Sequence, residues 1–240
     1  MKILKFTVLL LIVITASSCD FKFTIKNIDG NGNVVKDDRI FSEKIDVIKA
    51  SNGLDVQLIN STAQVVTVEA DENLHDIIET ELKNGVLYVR TSKNIRKAKS
   101  KKVYITYIEL DGVHSSSGAN LTGLSGIVSN NLDLKASSGA QMDLTVLAKE
   151  LTAQASSGGT ITLRGQARNF GSKASSGSSI DAKELKAIYC TSRASSGGNI
   201  SLNIERSLDA KASSGGEIKY QGEPEVVTQN TSSSGRVRKM

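Results

Sequence analysis

The 240-residue chain has no tryptophan, only 4% aromatic residues, two histidines (His75 and His114) and two cysteines (Cys19 and Cys190). Each scarcity closes a route. Nucleophilic catalysis needs a base beside the nucleophile, and two imidazoles offer few places to build one. His114 does precede Ser115, but it falls in a column of residues that points outward. No CxxC pair or histidine cluster suggests a metal, and no motif calls for a cofactor. Aromatic platforms for sugar stacking are few: only Phe170, Tyr189 and Tyr220 lie within the repeats described below. The apolar run Phe6–Ile14 is too short to span a bilayer, which takes about 20 residues.

What the chain has instead is repetition. Ser-Ser-Gly occurs seven times, ending at Gly118, Gly139, Gly158, Gly177, Gly197, Gly215 and Gly235, at intervals of 21, 19, 19, 20, 18 and 20 residues. A period near 20 marks a solenoid, in which each repeat is one turn of a stacked coil. Seven residues before the glycine stand Leu132, Leu151, Phe170, Cys190 and Leu208. Five before stand Leu134, Ala153, Ser172, Ser192 and Ala210, and three before stand Ala136, Ala155, Ala174, Ala194 and Ala212. Polar residues fill the gaps, and the alternation resumes at Met142, Ile161, Ile180, Ile200 and Ile218, then at Leu144, Leu163, Ala182, Leu202 and Tyr220. Period-two alternation is a strand with one face in and one out. Two strands per repeat joined at a Ser-Ser-Gly corner make an all-β parallel solenoid.

A sharp corner needs a residue tolerant of positive φ, and glycine supplies it. The next position varies (Ala140, Gly159, Ser178, Gly198, Gly216), so only the first glycine is expected to be obligatory, and Gly159→Val should cost less than Gly158→Val. The serine before the glycine is in phase with the inward alanines, which places its hydroxyl where it could bond along the stack. Cys190 falls in a core column, as a small buried hydrophobe.

The N-terminus supplies an address. Lys2 and Lys5, the apolar run, and Ala16-Ser17-Ser18-Cys19 form a signal peptide over 1–18 ending in small residues and a cysteine. That order resembles the bacterial lipobox, in which the cysteine is lipidated. Cys19 is therefore the expected lipidation site, which would anchor the protein to the bacterial cell envelope, at the outer membrane. Without Lys2 and Lys5 the 30 basic residues become 28 against 25 acidic, a formal +3. With no aromatic-basic interleaving in an exported chain, nucleic acid is not an expected partner.

Residues 19–38, with Asp29-Gly30-Asn31-Gly32-Asn33, read as a tether. Residues 39–110 read as a β-rich cap: Phe41, Val47, Leu54, Val56 and Leu58 alternate, and Asn84-Gly85 signals a hairpin. Glu72–Glu81 could hold one short helix or turn. The solenoid proper is then 111–240. A cap is needed because an open strand edge invites pairing with other chains, and Arg236, Arg238 and Lys239 would blunt the far end. The coils, together with Asp71-Glu72-Asn73-Leu74, Asn84-Gly85-Val86-Leu87-Tyr88-Val89 and the lead-in Val103-Tyr104-Ile105-Thr106, resemble the family called putative auto-transporter adhesin, head GIN domain, over about residues 40–236. Two departures are visible. Tyr107-Ile108 stands where a proline is common after the lead-in strand, and the coils use Ser-Ser-Gly where Ser-Gly-Ser is common. The resemblance implies a right-handed β-helix in an envelope protein, often behind a lipoprotein signal, and its name implies adhesion.

Three constellations are candidates for chemistry. Lys135, Gln154, Lys173, Arg193 and Lys211 share one outward column, so adjacent coils place them about 4.8 Å apart. Such a ridge could bind an anionic glycan or lipid head group, or be a solvated face partnered by Asp133 and Asp209. The cluster Lys93, Arg96, Lys97, Lys99, Lys101 and Lys102 contains no acidic residue and reads as a flexible hairpin tip. Asp143 and Asp181 share a column two coils apart, about 9.6 Å, near the upper separation for inverting glycosidases. Coils this short leave no long loops to wall a cleft, however. The expected function is a non-catalytic binding or adhesion module for an anionic glycan or a surface protein. A spacer lipoprotein without a specific ligand is the alternative, and a polysaccharide-active enzyme trails both.

Overall fold

A computed structural model describes residues 27–240; the signal segment and Cys19 lie outside the described residues. Parallel strands stack into a β-solenoid of about seven turns. Gln141 lies over Thr160 and Thr160 over Ser179, so these coils advance by 19 residues. Every apolar column named above points inward, from Leu132, Leu151, Phe170, Cys190 and Leu208 to Leu144, Leu163, Ala182, Leu202 and Tyr220. The small residues Ala136, Ala155, Ala174, Ala194 and Ala212 stack just before the corner and are buried.

The corner itself is a tight turn in which both central residues have positive φ. Ser138 and Gly139 stand at 52° and 72°, and Ser157 and Gly158 at 48° and 73°. The turn closes by a bond from the Ala140 N–H to the Ser137 carbonyl (3.1 Å), as in a type I′ turn. The carbonyl of the second corner serine accepts from the preceding coil: the Gly139 N–H donates to Ser157 O at 3.1 Å and the Gly158 N–H to Ser176 O at 3.2 Å. The ladder thus runs unbroken around the bend. Contrary to the expectation, the serine before the glycine is exposed. Its left-handed conformation ends the strand's alternation and turns the side chain out. The buried hydroxyls lie elsewhere: Ser172 Oγ bonds Ser192 Oγ at 2.9 Å, and Ser178 Oγ donates to Ala155 O at 2.8 Å.

The second corner position also differs from the expectation. A Cβ on Gly159 would fall 2.5 Å from Ala136 O and 2.6 Å from its carbonyl carbon, and Gly198 and Gly216 meet Ala174 and Ala194 in the same way. These glycines permit close approach of one coil's backbone to the next. The first glycine meets nothing within 4 Å and is needed for its φ alone. The last repeat is out of register by one residue. Ser233 and Ser234 hold the two positive-φ positions, while Gly235 takes the close-approach place against Ala212 O.

The division at residue 111 is also revised, because the coils begin earlier and are not laid down in chain order. Strands Val47–Ala50 and Asp55–Asn60 form a coil directly beneath Gly112–Ser115 and Asn120–Gly123. Strands Val86–Thr91 and Lys101–Tyr107 form another beneath that one, so the chain inserts the bottom coil after the one above it. Ala50-Ser51-Asn52-Gly53 is a corner like the others, with Asn52 at 61° and Gly53 at 67°. The cap consists of antiparallel strands on the bottom coil. Val65–Asp71 pairs with Lys101–Tyr107 and with Val34–Arg39. Ile78–Lys83 pairs with Val86–Thr91 through the expected Asn84-Gly85 turn, and the short 3-10 helix Glu72–Leu74 lies between.

Nor is the second half of the expected tether free. Asn27–Asp29 and Val34–Arg39 are strands, and the loop joining them is stitched to the cap. Buried Asp71 accepts from the backbone N–H groups of Gly32 (2.9 Å), Lys99 (3.0 Å) and Ser100 (2.9 Å). Asn73 accepts from Asn31 N–H and donates to Asp29 O, each at 2.9 Å. Leu74 is fully buried. Burial alone would raise the Asp71 carboxyl, but the three backbone donors together hold it below the usual carboxylate range.

Candidate functional site: a basic ladder on the outward face

The outward column Lys135, Gln154, Lys173, Arg193 and Lys211 is in register from coil to coil, as expected, and all five residues are exposed. They come together because each stands one residue before an inward alanine and four before the corner glycine, so the stack aligns them. The ladder extends further than the Ser-Ser-Gly repeats revealed. Below Lys135 stand His114, Lys49 and Tyr88, with the Lys49 ammonium 5.4 Å from the Tyr88 ring centroid. Lys49 was detectable in the sequence, since it precedes Ala50-Ser51-Asn52-Gly53 just as Lys135 precedes Ala136-Ser137-Ser138-Gly139.

Charge along this ladder is uneven. Asp133 Oδ2 lies 2.5 Å from Lys135 Nζ and 3.0 Å from His114 Nε2, so the lower end is neutralised. Burial pushes the His114 imidazole below its ordinary value against the opposing pull of Asp133. Among the described residues Lys173, Arg193 and Lys211 form no ion pair, and Asp209 does not partner Lys211. The upper end is therefore a row of free cations spaced about one coil, roughly 4.8 Å, apart.

The remaining candidates separate. Ser115 is buried and donates to Ala119 O at 3.1 Å, whereas His114 points outward, so the two side chains lie on opposite faces. Asp143, Thr162 and Asp181 share a column, but Asp143 pairs with Arg164 and Asp181 with Lys183 (3.1 Å). The basic cluster 93–102 is not a free hairpin tip. Asn94–Lys97 pairs in parallel with Asn27–Asp29, and Arg96 forms a two-point contact with Asp29. Of the terminal cations, Arg238 and Lys239 turn back to Glu217 (2.8 Å) and Glu223 (2.7 Å). Burial pushes the Cys190 thiol up to about 12. Among the described residues no group of side chains is arranged to hold a metal ion, and no helix is long and apolar enough to cross a membrane.

Parallel coils closed at one end by antiparallel strands, with flat polar ladders outside, define a capped β-solenoid. The chain belongs to the family described as putative auto-transporter adhesin, head GIN domain, whose model matches residues 45–224. Among solved structures it is similar to a putative adhesin from Bacteroides fragilis (TM-score 0.82, 21% identity, 89% of this chain and 100% of that one). It is also similar to a putative adhesin from Parabacteroides merdae (TM-score 0.68, 19% identity, 89% and 99%). A third similar structure is a putative lipid binding protein from Parabacteroides distasonis (TM-score 0.65, 21% identity, 90% and 100%). Identities this low establish the fold. No curated protein matches the chain.

Proposed function

We propose that this protein is an exported, lipid-anchored envelope module that binds an anionic glycan along its basic ladder, without catalysis. The unpaired row Lys173, Arg193 and Lys211 carries the reading. Three cations held in register on a rigid sheet meet an extended anion without first losing backbone freedom, and broad repetitive faces suit extended partners. Membership of an adhesin-described family supports a binding role at the cell surface.

The proposed anchor fits this geometry. Asn27 is held on the cap, eight positions after Cys19, a reach of at most about 29 Å. Acylation at Cys19 would therefore keep the capped end near the membrane and send the ladder outward along the stack. Stable anchoring takes more than one acyl chain.

A glycan array with and without Lys173→Glu and Arg193→Glu tests the ladder. Acidic glycans should be retained by the parent and released by salt, because exposed charges are screened beyond about 8 Å at physiological ionic strength. Binding unchanged by both reversals would refute the ladder, and silence on the array at low salt would leave a spacer lipoprotein. For the anchor, Cys19→Ala should move the protein from the membrane fraction to the soluble one.

A further inference from the structure

Gly171 is a glycine without a structural reason. It lies mid-strand within Thr160–Ala174, where glycine is destabilising relative to alanine. Its φ is not positive, and an added Cβ would meet nothing nearer than Thr152 Oγ1 at 3.8 Å. The coils on either side carry Thr152 and Thr191 at this position. Gly171 lies in a groove of about 410 Å³, bordered by Glu150, Asn169, Tyr189 and Asp209. That is within the size of small-ligand sites. A glycine inside a strand often marks a place where a ligand approaches closely.

We propose that the Gly171 notch is a subsite for one ring of an acidic saccharide, with Tyr189 as its stacking platform and Lys173 and Arg193 receiving the carboxylate. This rests on the glycan-binding reading above and says where on the face the ring sits. Tyr189 is 38% exposed and stands diagonally across from Gly171, because it pairs with Asn169 on the neighbouring coil. A tyrosine ring offers an apolar face and a polar tip at low entropic cost. Thr152 and Thr191 wall the notch with hydroxyls. Lys173 and Arg193 lie two residues along the same face, about 6.6 Å away at strand rise. Glu150, which accepts from Asn169 Nδ2, stands on the side away from the ladder, where its carboxylate repels that of the sugar. Asp209, two coils above Gly171 in the notch's own column, accepts from sugar hydroxyls. The ring is thereby oriented with its acid toward the ladder.

The test uses Gly171→Val, which fills the notch, and Tyr189→Ala, which removes an exposed ring. Both are titrated on an array of carboxylated oligosaccharides, oligogalacturonate among them, beside neutral counterparts. Each variant should bind acidic glycans at least tenfold more weakly. Gly171→Val should melt at or above the parent's temperature, because a β-branched residue enters a strand with room for it. Loss of binding on Lys173→Glu with no change on Gly171→Val or Tyr189→Ala would keep the ladder and overturn the subsite. No binding of any acidic glycan at low salt would overturn both.

Discussion

The two corner glycines should fail differently when replaced, and Gly158 and Gly159 provide the comparison. At Gly158 a side chain enters open space but must hold φ near 73°, which costs an L-residue about 1–2 kcal/mol. At Gly159 the backbone conformation is ordinary, but the new Cβ lands 2.5 Å from Ala136 O and 2.9 Å from Ser137 N. Those atoms are backbone and cannot swing aside. Relief requires the two coils to part locally, breaking the bonds from Ser156 N–H to Ala136 O and from Thr160 N–H to Ala140 O, at 3.0 and 2.9 Å. Each net bond contributes about 1 kcal/mol, and forced overpacking adds about 1–3 kcal/mol. Gly159→Val should thus cost about 3–5 kcal/mol, against about 1–2 kcal/mol for Gly158→Val. For a domain of this size 1 kcal/mol shifts Tm by about 2–4 °C, so thermal melts followed by circular dichroism should separate the pair by several degrees. The alanine pair isolates the Cβ, and Gly159→Ala should melt lower than Gly158→Ala. The reverse order would refute the close-approach argument.

Three further outcomes follow from buried polar groups. Ser192→Ala strands the Ser172 hydroxyl and should cost about 1–3 kcal/mol, whereas Ser172→Ala with Ser192→Ala should recover most of that, because Ala153 and Ala210 already occupy the column; denaturant unfolding of the three variants checks it. Cys190, with its thiol pushed up to about 12, should resist alkylation at pH 8 until the chain is unfolded, as mass spectrometry would show. The Asp71 clamp, its carboxyl held below the ordinary value, contributes stability that is fully present above about pH 4 and is lost as pH falls through the lower folded value; Asp71→Asn should flatten the acid limb of a Tm-against-pH curve.

How much of this the sequence revealed follows from which contacts are periodic. The inward columns and the Lys135–Lys211 ladder were legible because parallel stacking at a near-constant period copies sequence spacing into space. The bottom coils were hidden for the complementary reason. Val86–Thr91 stacks under Val47–Ala50, which stacks under Gly112–Ser115, so spatial order and chain order disagree. The stitching of Asp29–Asn33 onto Asp71 and Asn73 joins residues about 40 apart, and no local pattern encodes it. The corner was half legible. Glycine's tolerance of positive φ is a local property, readable at Gly158; the need for no side chain at Gly159 comes from the neighbouring coil. Variation at that place looked like tolerance because Ala140 and Ser178 share it. Ser178 in fact fits by turning its hydroxyl onto the Ala155 carbonyl and accepting from Ser175 N–H. The variation therefore records different local solutions to one close contact. The same logic makes Gly171 informative. It sits between Thr152 and Thr191 with neither a φ nor a neighbour that requires glycine, which is why the proposed subsite is placed there.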